Sequence, residues 1–119
     1  MTPPRIRTCI AAAAISLALA TPVFAQDGLT KAKAFYGSAD YEEALQVLVT
    51  LSSPASPEEA RDVAAYRMFC LVALGRTDEA RRTVETIVKL DPLYHPSEAQ
   101  APPRVRVFFE DARKPLLPD

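Results

Sequence analysis

Two stretches of this chain, "GSADYEEALQVLVTL" and "ALGRTDEARRTVETIVKLDP", carry one pattern at two places. Each sets an acidic pair and an alanine after a turn. Aliphatic residues then follow four and seven places on: Leu48 and Leu51 after Ala44, Val84 and Ile87 after Ala80. The two alanines stand 36 residues apart. Nine and twelve residues upstream are Phe35 and Ala32 in the first case, Leu71 and Met68 in the second. A spacing of this size holds two helices and their turns, so the chain is constrained to stacked helix pairs, each with a face it cannot bury alone.

The local signals predict five helices. The first runs from about Leu29 to Gly37, with the glycine expected at the C′ position. The second opens at Asp40, with Glu43 at capping-box spacing, and repeats apolar residues at Tyr41, Ala44, Leu45, Leu48 and Leu51. The third has Ser56 as N-cap, Pro57 at its first position and Glu59 three places on. It aligns Ala60, Ala64, Met68 and Leu71 and closes at Gly75. Thr77 is expected to cap the fourth, whose stripe is Ala80, Val84, Ile87 and Val88 and which Pro92 stops. After the linker "DPLYHPSEAQAPP", a fifth helix from about Pro103 to Lys114 places Val105, Phe108, Phe109 and Ala112 on one face. No segment alternates like a strand, and the expected fold is all-α.

The first 25 residues read as an export leader. Arg5 and Arg7 precede the short apolar run "CIAAAAISLALA", and Val23 and Ala25 fit a small-residue cleavage site between Ala25 and Gln26. The expected domains are therefore a signal peptide over 1–25, two helix pairs over 26–94 (about 26–55 and 56–94), and a linker, capping helix and tail over 95–119. After cleavage no membrane span is expected. Without Arg5 and Arg7, 12 basic residues face 15 acidic ones, which gives no electrostatic support for binding nucleic acid. Cys70 is then the single cysteine, inside the apolar run "MFCLVAL", and is expected to act as a small buried hydrophobe.

With Ala32, Phe35, Ala44 and Leu48 in one unit and Leu71, Gly75, Ala80, Val84 and Pro92 in the other, the chain resembles the tetratricopeptide repeat family. Met68 stands where that pattern has a small residue. The layout also resembles small exported bacterial proteins in which such repeats precede a "DP-x-Y-x-P … P-R-V-R-x-x-F" segment. This resemblance implies two helix-turn-helix units forming a shallow solenoid whose first helices line a concave groove. Its register puts Leu29, Lys33 and Tyr36 of the first unit, and Asp62, Ala65, Phe69 and Val72 of the second, toward that groove. Tyr36 and Phe69 are the expected aromatic anchors. The fifth helix is expected to cap the stack.

Catalysis has little to stand on. His95 is the single histidine and lies in the proline-rich linker, expected to be solvated. The pairs Glu42–Glu43, Glu58–Glu59 and Asp78–Glu79 fall in first turns of helices, where they serve capping and the helix dipole. No ligand spacing suits a metal, and no cofactor is expected. The function implied is a non-catalytic scaffold or adaptor in a bacterial cell envelope, exported to the periplasm, that holds a peptide or helix of a protein partner. The alternative is a structural subunit that docks through its fifth helix into a larger envelope assembly or into copies of itself.

Overall fold

The computed structural model describes residues 25–51 and 54–118 of the chain. Among them the architecture is all-α: α1 (Ala25–Gly37), α2 (Tyr41–Thr50), α3 (Pro57–Ala73), α4 (Thr77–Leu90) and α5 (Pro103–Arg113), with a 3₁₀ turn at Lys114–Leu116. Residues 1–24 of the expected leader lie outside the described residues. The expected cleavage boundary, Ala25 and Gln26, falls at the start of α1, which begins four residues earlier than its sequence signals suggest.

Three residues join α1 to α2, and three join α3 to α4, so each helix packs back on its predecessor. The two turns are built alike. In the first, Ala39 donates to the Tyr36 carbonyl at 3.0 Å and Asp40 to that of Phe35 at 2.9 Å. In the second, Gly75 donates to Val72 at 3.1 Å and Arg76 to Leu71 at 2.8 Å. Every partner is displaced by the same 36 residues. Both turns are Schellman closures, in which the C′ residue takes a positive φ: 61° at Ala39 and 74° at Gly75.

Gly37 is therefore not the C′ residue expected from sequence; it is the last residue of α1, and the left-handed position falls to an alanine. A Cβ in that region costs about 1 kcal/mol. Ala39→Gly is expected to stabilise the fold by about 0.5–1 kcal/mol, and Gly75→Ala to destabilise it by about as much. Urea unfolding of the two variants checks both signs.

Two caps differ from expectation. Asp40 precedes α2, but its side chain makes no capping hydrogen bond, so the box with Glu43 does not form. Thr77 is the first residue of α4, and Arg76 holds the N-cap place. There its guanidinium pairs with Glu79 through both carboxylate oxygens at 2.9 Å. The third start keeps its predicted cap: Ser56 Oγ accepts from the Glu59 N–H at 3.1 Å. Glu59 Oε2 reaches back to the Ala55 N–H at 2.7 Å, one residue before the one a capping box uses.

Stacking repeats as the turns do. α3 packs on both α1 and α2, and α5 packs on both α3 and α4. Ala32, Ala44 and Ala80 are fully buried, and their small side chains let the helices approach closely. Leu48, Val84, Ile87 and Leu71 fill the space between. α3 is covered on more than the one face predicted: Val63, Ala64, Ala65, Tyr66, Met68, Phe69, Cys70, Leu71 and Val72 are all buried. Four helices pack on it, and within Val63–Val72 Arg67 alone stays exposed.

The linker after α4 is also better anchored than its proline content suggests. Asp91 turns it by accepting from the Leu93 and Tyr94 N–H groups, through its side chain and carbonyl respectively. Tyr94, Pro96 and Ala101 are buried, and Tyr94 meets Phe109 edge-on at 5.8 Å. On α5, Val105, Phe109 and Ala112 are buried as predicted, while Phe108 is half-buried. His95 is exposed but not free: its Nδ1 lies 2.6 Å from Glu110 Oε1 and ties the linker to α5.

Candidate functional site

α1 and the start of α3 diverge enough to leave an open cleft of about 450 Å³. Leu29, Thr30 and Lys33 of α1 form one wall. Glu58, Glu59 and Asp62 of α3 form the other, with Ala55 and Ser56 leading into it. Helix register explains the set. Leu29 and Lys33 are four residues apart and share a face, as do Glu58 and Asp62.

Charge divides the cleft. Lys33 extends its ammonium over the Tyr66 ring, 5.3 Å from the centroid, a cation–π contact on the α1 side. The opposite wall carries three carboxylates, but they are not equally available. Asp62 Oδ1 accepts from Arg61 Nε at 3.1 Å and Nη2 at 2.9 Å. Arg61 also reaches Asp91 Oδ2 at 3.1 Å and lies over the Tyr94 ring at 5.3 Å. Hydrogen bonding to Asp62, followed by the contact with Asp91, holds its basicity above the ordinary arginine value against the opposing effect of burial. Glu59 spends Oε2 on Ala55, while its buried Oε1 has no hydrogen-bond partner among the described residues. The free anionic capacity of the cleft therefore lies with Glu58 and Glu59.

Aromatic rings line the neighbouring surface. Tyr36 is half-buried and leans on Tyr41 at 5.7 Å, Tyr66 at 5.6 Å and Phe69 at 5.8 Å. Tyr66 meets Phe69 edge-on at 5.1 Å. Burial, with Tyr41, Cys70 and Tyr66 nearby, pushes the Tyr36 hydroxyl up to about 12, so the ring presents a neutral hydroxyl at physiological pH. One cation, the exposed Glu58 carboxylate and the half-buried Tyr36 ring beside them suit a peptide segment that carries both an apolar and a basic side chain.

The seven residues that the repeat register aims at the groove divide into two groups. Leu29, Lys33 and Asp62 line the cleft and Tyr36 stands beside it. Ala65 and Phe69 are 0% exposed and Val72 5%, so none of these three is available to a partner. The reason is the position of α3 in the stack. Phe69 stands 36 residues after Lys33 and occupies the corresponding place on its helix, but four helices pack on α3, whereas among the described residues α1 packs on α2 and α3. Phe69 is thus an anchor of the core and not of a binding surface. Arg61, Tyr66, Glu58 and Tyr94 were not anticipated as parts of this region. Tyr66 is one turn beyond Asp62, a spacing that marks it as sharing the Asp62 face.

Cys70 is buried, and desolvation pushes its thiol up to about 12. A thiol so held is protonated and shielded. Ellman's reagent is expected to leave Cys70 unlabelled in the native protein and to react with it after denaturation. Among the described residues, no group of three or more His, Cys, Asp or Glu is placed to hold a metal ion, and no helix is long and apolar enough to cross a membrane. In comparison with known proteins, the chain matches no family model, no curated protein and no solved structure.

Proposed function

We propose that the chain is a non-catalytic protein-interaction module of the tetratricopeptide kind, exported to the periplasm, that holds a peptide segment of a protein partner between α1 and α3. The observation that carries this reading is the cleft itself: Leu29, Lys33 and Asp62, three residues that the repeat register aims at one groove, line one open volume of about 450 Å³. The recurrence of one turn geometry after 36 residues supports the repeat, as does the docking of α5 on α3 and α4 in the manner of α3 on α1 and α2.

The ligand that fits is short. Two helix pairs give little curvature, so the contact is a single cleft with an aromatic margin rather than a long channel. A basic side chain would meet Glu58 and Glu59 while an apolar neighbour lies against the half-buried Tyr36 ring beside the cleft. Selection of peptides from a random display library against the mature chain tests this. Enriched sequences should carry a lysine or arginine beside an apolar residue. Glu58→Lys should weaken their binding at least about tenfold, since reversing a contacting charge costs more than removing it. Tyr36→Ala should weaken it as well, while Val107→Asp on α5 should leave it unchanged. Peptides indifferent to both cleft variants would refute the site.

A further inference from the structure

Most charges of α5 oppose its own dipole, Arg113 in the last turn being the exception. Arg104 and Arg106 lie in the first turns and Glu110 and Asp111 toward the end, with no acidic residue in the first turn. Helices gain from the reverse order. Two of these charges have work within the chain. Arg106 donates to the Ala101 carbonyl at 3.2 Å, and Glu110 pairs with His95 and, at 3.7 Å, with Arg113. The other two do not. Arg104 makes no hydrogen bond or ion pair among the described residues, and Asp111 has a single approach, at 3.9 Å, from the exposed Lys114 ammonium. Arg104 and Asp111 are seven residues apart, two helical turns, so they share one face. Between them Val107 is 60% exposed beside a shallow hollow of about 330 Å³ that Pro103 and Asp111 also line.

We propose that this face is the contact between two copies of the chain, with their α5 helices packed antiparallel about a two-fold axis close to Val107. In that arrangement Arg104 of each copy lies against Asp111 of the other, and the two valines meet at the centre. The ridge is its own complement, which is what an isologous interface requires. Antiparallel packing also sets the positive end of each helix dipole beside the negative end of its neighbour. A parallel pair would set arginine against arginine. Charge order that is unfavourable within one helix thus becomes favourable between two. An unrelated partner would have no need of a pattern symmetric about Val107.

The contact is small. One short helix per copy buries less than the roughly 1,200 Å² of a stable interface, so a dissociation constant on the order of 100 µM is expected, rising with salt. Sedimentation equilibrium of the mature chain across that range tests the proposal. Arg104→Asp and Asp111→Arg should each raise the dissociation constant at least about tenfold, because each sets like charges together. The double variant, which restores opposite charges, should return to within about threefold of the parent, and equimolar mixing of the two single variants should also restore association, because position 104 of each variant then meets an opposite charge at position 111 of the other. Both positions are exposed, so circular dichroism should show the same helix content throughout. Peptide binding at the α1–α3 cleft should be unchanged in all three, which separates failure of this proposal from failure of the cleft. A monomer at every concentration would overturn the proposal, as would a dimer indifferent to the single reversals. Loss in both single variants without recovery in the double would overturn the antiparallel pairing.

Discussion

Phe109→Ala is expected to cost about 3–5 kcal/mol, the range for truncating a fully buried phenylalanine. Phe109 has no exposed surface and meets the Tyr94 ring at 5.8 Å and His95 at 6.5 Å. It therefore joins three parts of the chain at one point: α5, the linker and the α3–α4 pair. Domains of this size have total stabilities of about 5–15 kcal/mol, so the loss is a large fraction of the whole. Urea unfolding followed by circular dichroism should show a much lower midpoint in one transition. A terminal helix resting loosely on the stack would behave otherwise, since its truncation would leave the midpoint of the main transition in place.

Phe69→Ala is expected to cost about as much, again about 3–5 kcal/mol. Its ring is 0% exposed and supports both Tyr36 and Tyr66, so the cavity would open beneath the aromatic margin of the cleft. The half-buried Tyr36 has less surface to lose, and Tyr36→Ala is expected to cost about 1–2 kcal/mol. The two variants separate structure from recognition. Phe69→Ala should lose peptide binding only in proportion to the fraction unfolded, while Tyr36→Ala should lose binding with the fold intact. If the folded fraction of Phe69→Ala bound peptide far more weakly than Tyr36→Ala did, Phe69 would have a surface role that its burial excludes.

Parts of this arrangement are legible in the sequence for physical reasons. Ser56, Pro57 and Glu59 announce the start of α3 because an N-cap, a fixed φ and a back-reaching carboxylate each need a specific residue type. The apolar spacing of Ala80, Val84 and Ile87 gives the buried face of α4 directly. The turn after α1 was harder, because Gly37 advertises a C′ position that the chain gives to Ala39. The 36-residue offset held the answer, since Ala39 corresponds to Gly75. Burial of Phe69 follows from how many helices flank α3, a tertiary fact that one helix's periodicity does not carry. Tyr94 lies in a segment without periodicity, and its place in the core comes from the turn at Asp91 and the ring of Phe109. Leu29, Lys33 and Asp62 are expected at the cleft through the resemblance to the repeat family, whose register also aims the buried Ala65, Phe69 and Val72 there. Glu58 and Glu59 read first as helix-start acids and are that as well.

The recognition claim is tested most directly by crosslinking in living cells. A photoreactive phenylalanine analogue would replace Lys33 in one strain, Tyr36 in a second and Val107 in a third, with adducts identified by mass spectrometry. The account predicts that Lys33 and Tyr36 capture the same envelope protein through one short segment containing a basic residue, and that Val107 captures a second copy of the chain. Capture of that same envelope protein through Val107, with none through Lys33 or Tyr36, would contradict the account and move recognition from the α1–α3 cleft to α5.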